Sequence, residues 1–128
     1  MGKRYRKFKR FFMTPATAEM VVKHLVDKTL EHHARNCGGR GDCGHATSGT
    51  LPAARVIESG MHIGKRRAHL DIPDDPDLAE IISARLVGFS SVVGRAGPAF
   101  RRIAEEVLAW AHRSPLHRLA EAGLELDG

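Results

Sequence analysis

Four residues around a glycine-rich bend carry the metal-binding chemistry of this sequence: His33, Cys37, Cys43 and His45. His33 and Cys37, four apart at a helix end, face one way. Cys43 and His45 can close the set across the bend, and two imidazoles with two thiolates make a donor set that holds structural zinc in a tetrahedron. Against this stands the spacing, C-x5-C-x-H, which lacks the paired C-x2-C knuckle of common zinc modules. The competing expectation is an ordinary loop with two free thiols and no cofactor.

The same residues offer an enzyme reading, with His33 or His45 as general base oriented by Asp42, or Cys37 as nucleophile. In a chain with eight histidines such sets arise from composition alone. No G-x-x-x-x-G-K-[ST] loop, nucleophile elbow or HExxH helix accompanies them, so a non-catalytic protein is expected. The RGD at Arg40 to Asp42 is explained as well by a tight polar loop.

A second constellation opens the chain, in "MGKRYRKFKRFF". Lys3, Arg4, Arg6, Lys7, Lys9 and Arg10 are threaded with Tyr5, Phe8, Phe11 and Phe12. These six cations exceed the net charge of +5 for the whole chain, so the remainder is nearly neutral and the basic character belongs to this segment. As a helix it would gather its rings on one side; as a strand it would scatter them over both faces. Three uses compete: phosphate contacts with base stacking on the rings, an anionic membrane surface, or docking of the rings on a protein partner. Lys65, Arg66 and Arg67 either extend a polyanion surface or keep a sheet edge soluble.

At 128 residues one domain is expected. The divisions read as a basic aromatic arm over 1–13, a single domain over 14–123 and a polar tail over 124–128. Two cysteines make no secreted disulfide framework, no apolar leader follows the basic start, and no run of about 20 apolar residues suggests a membrane span. Synthesis in a reducing cytoplasm is expected.

The elements that must position these residues begin with a helix from Thr14 as cap and Pro15 in the first turn. Its apolar stripe is Ala18, Val21, Val22, Leu25, Val26, Leu30 and Ala34, and Gly38 and Gly39 stop it. A loop covers Cys37 to Thr50. "ARVIES" and "RAHLDIP" read as two strands joined through Gly60 and Gly64, the second by strict alternation of Ala68, Leu70 and Ile72 with polar residues. Asp75 and Pro76 start a helix through Phe89, "FSSVV" is the candidate for a third strand, and Pro98 leads a helix with Phe100, Ile103, Val107 and Leu108 on its stripe. Trp110 beside that stripe is either partial core or a subunit contact. His112 and His117 read as surface residues, and Ser114 and Pro115 begin a last short helix. The class is α+β: arm, amphipathic helix, a small antiparallel sheet of two or three strands, C-terminal helices.

An N-terminal amphipathic helix running into "TSGTL" (Thr47 to Leu51), then strands, then "GPAF" (Gly97 to Phe100) opening a late amphipathic helix resembles the neck or tail-completion proteins of long-tailed bacteriophages. The resemblance spans about two-thirds of the chain in element order. This sequence departs from the pattern in Pro52 after Leu51, the long cysteine-bearing loop and the helix after "PDDPD". The resemblance implies a non-catalytic ring subunit of a virion, homo-oligomeric, contacting neighbouring structural proteins and passing DNA without reading its sequence. The alternative is a nucleic-acid-binding protein that uses the arm.

Overall fold

The computed structural model describes residues 8–37 and 49–113. It is α+β, with helices covering one face of a three-stranded antiparallel sheet of order β1-β3-β2. The strands are β1 (Phe8–Met13), β2 (Met61–Ile63) and β3 (Ala68–Pro73). The helices are α1 (Pro15–Val21), continued by a π-helical turn (Val22–Asp27) into α2 (Lys28–Cys37), then α3 (Thr50–Gly60), α4 (Pro76–Phe89) and α5 (Gly97–Ala111).

The caps form as their residue types require. The Thr14 hydroxyl accepts from the Thr17 N–H at 3.2 Å and the Asp75 carboxylate from the Leu78 N–H at 3.2 Å, each followed by proline in the first turn. The π turn is marked by the Lys28 N–H donating to the Lys23 carbonyl, five residues back. Thr17, Val21, Leu25, Thr29 and His33 are all buried. A strict four-residue repeat drifts by about 40° per step on a 3.6-residue helix, and the wider turn takes part of that drift back. Ala34, expected on the buried stripe, is exposed.

Three expectations change. "ARVIES" is helical: Ala53, Ala54 and Ile57 are buried at helical spacing, and Pro52 falls in the first turn, where its missing N–H costs no bond. The first hairpin strand is instead Met61–Ile63, with the Gly64 N–H donating to the Arg67 carbonyl at 3.0 Å to set the turn. Gly60 lets α3 end against β3, since a Cβ there would lie 2.3 Å from the Asp71 carbonyl oxygen. "FSSVV" is the end of α4 and a turn, in which the Ser90 hydroxyl donates to the Val87 carbonyl at 2.7 Å. The third strand comes from the segment read as an arm: β1 pairs with β3, Phe8 opposite Pro73 through Met13 opposite Ala68.

The core lies between the inner sheet face and the helices. Phe11, Met13, Leu70 and Ile72 meet Phe100, Ile103, Val107 and Trp110 there. Trp110 is fully buried and packs edge-to-face on Phe11 at 5.9 Å, which makes it core. The Ser83 hydroxyl donates to the Ala104 carbonyl at 2.8 Å, tying α4 to α5. The expected Gly38–Gly39 stop, the Ser114–Pro115 helix, His117 and the polar tail lie outside the described residues.

Candidate functional site: the open face of the sheet

Alternation along a strand sends successive side chains to opposite faces, and in β1 this splits the aromatic segment. Phe11 (3% exposed) and Met13 enter the core, while Phe12 (50% exposed) stands on the open face with Phe8 and Arg10 in its row. From β3 the same face receives His69 and Asp71, and from β2 it receives His62, directly opposite His69. Arg67, in the exposed Lys65–Arg67 turn, places its guanidinium 5.7 Å from the Phe12 ring centre, and Arg10 lies 5.9 Å from that of Phe8. His69 meets Phe12 edge-to-face at 6.0 Å.

Asp71 is the acid of this face. It accepts from Arg10 Nε at 2.9 Å through Oδ1 and from Nη2 at 3.3 Å through Oδ2, a two-pronged pair that raises the Arg10 pKa through the hydrogen bond. The ring nitrogens of His62 and His69 lie 3.8 and 3.9 Å from Asp71 Oδ2, and the two rings are 4.8 Å apart. Burial, then the Arg10 charge, push the His69 pKa below its ordinary value, against a smaller opposing pull from Asp71. His62, His69 and Asp71 offer ligand atoms within 4.8 Å of one another, a set that could close on a divalent cation. The Asp71 charge is already met by Arg10, so the cluster also holds together as an ion pair flanked by two imidazoles.

Around the edge of β1 the surface continues into a groove of about 380 Å³ against α5, lined by Lys9, Arg10, Arg102, Arg113, Glu106 and Trp110. Arg102 reaches Glu106 at 2.9 Å and donates to the Phe12 carbonyl at 3.4 Å. The exposed cations of the sheet and groove therefore outnumber their acids.

Of the residues expected to dock or bind polyanion, Phe8, Lys9, Arg10, Phe11 and Phe12 are in β1, and Phe11 is spent on the core. Lys3, Arg4, Tyr5, Arg6 and Lys7 lie outside the described residues. Of the expected zinc set, His33 is buried in α2, Cys37 is the last residue of α2, and the Cys37 side chain, Cys43 and His45 lie outside the described residues. Sequence reasoning passed over His62, His69 and Asp71. The signal was "MHIGKRRAHLD", in which a turn centred between Lys65 and Arg66 pairs His62 with His69.

No family model, curated protein or solved structure matches this chain. "GPAF" forms the first turn of α5, and the Gly49–Leu51 part of "TSGTL" opens α3. No helix among the described residues is long and apolar enough to cross a membrane.

Proposed function

We propose that this protein binds single-stranded nucleic acid on the open face of its sheet. The observation that carries the reading is the division of β1. The strand buries Phe11 for stability and leaves Phe8 and Phe12 outward, each beside an arginine, on a face continuous with the Lys65–Arg67 turn and the groove cations. Flat rings take bases of any identity, and guanidinium and ammonium groups take the phosphates between them. The cations Lys3, Arg4, Arg6 and Lys7 directly precede this strand in the sequence. The chemistry is binding without bond breaking and without sequence selection.

The test is fluorescence anisotropy with a 20-nucleotide oligo-dT and a duplex of equal length. Phe12→Ala is expected to weaken single-strand binding by about 5- to 150-fold, the loss of one stacked base, with little change for duplex. Arg66→Gln and Arg67→Gln, in the exposed turn, are each expected to reduce the log–log salt slope by about 0.7. Equal binding by wild type and Phe12→Ala would remove the reading.

A second reading rests on the strand order. The outer edge of β1 has no strand partner among the described residues, and such an edge accepts a strand from a neighbouring subunit. An assembly subunit, in its most concrete form a phage neck protein, would use it this way. Native mass separates the two: a monomer up to high micromolar concentration that binds oligo-dT excludes assembly as the primary role.

A further inference from the structure

Away from the sheet, the π turn, α2 and α4 line a cleft of about 320 Å³ that takes in His24, Lys28, Thr29, Arg85 and Phe89 and, among the described residues, no carboxylate. Arg85 is half-buried there. Its Nη2 donates to the Thr29 hydroxyl at 2.9 Å and its guanidinium lies 5.1 Å from the Phe89 ring centre. No acid within salt-bridge distance neutralises it among the described residues. Burial lowers its pKa, the reverse of what the Asp71 hydrogen bond does for Arg10. Lys28 adds a second cation, with Nζ 3.3 Å from His24 Nδ1. A protonated Lys28 donates in that contact, which leaves His24 neutral with its proton on Nε2. Burial, Lys28 and Lys23 all favour the same neutral form of His24. Thr50, the first residue of the eleven-residue α3, also lines the cleft.

A guanidinium withdrawn from water without an anion is costly to fold, and it persists where a ligand supplies the anion. The fork of Arg85 presents parallel donors to a tetrahedral oxyanion, Lys28 brings a second charge, and the Phe89 and His24 rings, 5.3 Å apart, form an apolar wall. We propose that this cleft binds a phosphate group, held by the Arg85 guanidinium and the Lys28 ammonium. Two sources share that chemistry: a small phosphomonoester, or a backbone phosphate of a polynucleotide. The inference stands independently of the role assigned to the sheet.

The experiment compares thermal unfolding of wild type, Arg85→Met and Arg85→Lys in 10 mM inorganic phosphate and in chloride buffer of equal ionic strength, with phosphorus-31 line broadening as a direct readout. Wild type is expected to gain about 4–10 °C in phosphate, for submillimolar binding in a domain of this size. Arg85→Met is expected to lose this gain and the line broadening, while melting in chloride at or above the wild-type temperature because an uncompensated charge has gone. Arg85→Lys is expected to retain part of the gain. Phosphate's general stabilising effect acts on all three proteins alike and cancels in the comparison. Equal gains in wild type and Arg85→Met overturn the proposal, as does a large loss of stability in chloride for Arg85→Met with the line broadening intact. Weakened oligo-dT binding by Arg85→Met identifies the polynucleotide as the source. Unchanged oligo-dT binding with lost phosphate binding identifies the small molecule.

Discussion

Two arginines, one on the sheet and one among the helices, are both partly buried and are treated in opposite ways. Arg10 meets Asp71 in a two-pronged pair across β1 and β3, whereas Arg85 meets a hydroxyl and an aromatic ring. The sheet's charge is satisfied by the chain itself, so its open face offers rings and peripheral cations. The helical cleft leaves a charge for something else to satisfy. A closed account marks structure, and an open one marks a place where a ligand completes the protein.

The largest effect is expected where the sheet's pairing depends on the core. Phe11→Ala removes the ring that packs on Trp110 and should cost about 3–5 kcal/mol by urea unfolding. It should also loosen the β1 register that brings Arg10 to Asp71, leaving the phosphate response of the cleft intact in the folded fraction. Next, Asp71→Ala turns Arg10 into a second Arg85; with a partly exposed guanidinium the cost should be about 1–2 kcal/mol. If that variant were as stable as wild type, the contrast between the two arginines would carry no energetic meaning.

A smaller effect lies in pH. His24 and His69 both have lowered values in the folded chain, so the unfolded chain takes up protons first as pH falls. Their contribution is fully present above the ordinary histidine value of about 6.5 and is lost progressively below it, as pH falls through the lowered values of the folded chain. His69→Gln and His24→Gln should each flatten the stability profile below that point. At His24 burial and two lysines act in one direction, whereas at His69 Asp71 opposes burial and the neighbouring cations. The smallest expected change is Thr29→Asp, which gives Arg85 an internal acid: stability should move by about 0–1 kcal/mol, while the thermal gain from phosphate disappears.

Much of the fold was legible where a single local rule decides. Thr14 before Pro15 and Asp75 before Pro76 each name a helix start, and Ala68, Leu70 and Ile72 alternate as a half-buried strand must. The α+β class follows from those elements. Legibility failed where two rules competed. Val56 and Ile57 are β-branched and read as a strand, but Ala53, Ala54 and Ile57 bury together only on a helix, and packing prevailed over propensity. In Phe8–Met13 the functional face is itself aromatic, so outward Phe8 and Phe12 hid the period of two that inward Phe11 and Met13 would otherwise have declared. The open-face cluster was unreadable for a related reason: His62 and His69 become neighbours only once both hairpin strands are correctly bounded.

The wide turn at Val22–Asp27 has an editing consequence. A π turn accommodates one more residue than an α turn while the flanking helices keep their phase, so the chain there carries, in effect, a spare position. Excising exposed Lys23 should tighten that turn to ordinary pitch with Thr29 and His33 still facing inward. Excising a residue from Lys28–Cys37 should instead swing everything beyond it by about 100°, so one helix holds both a forgiving site and an unforgiving one for single-codon loss.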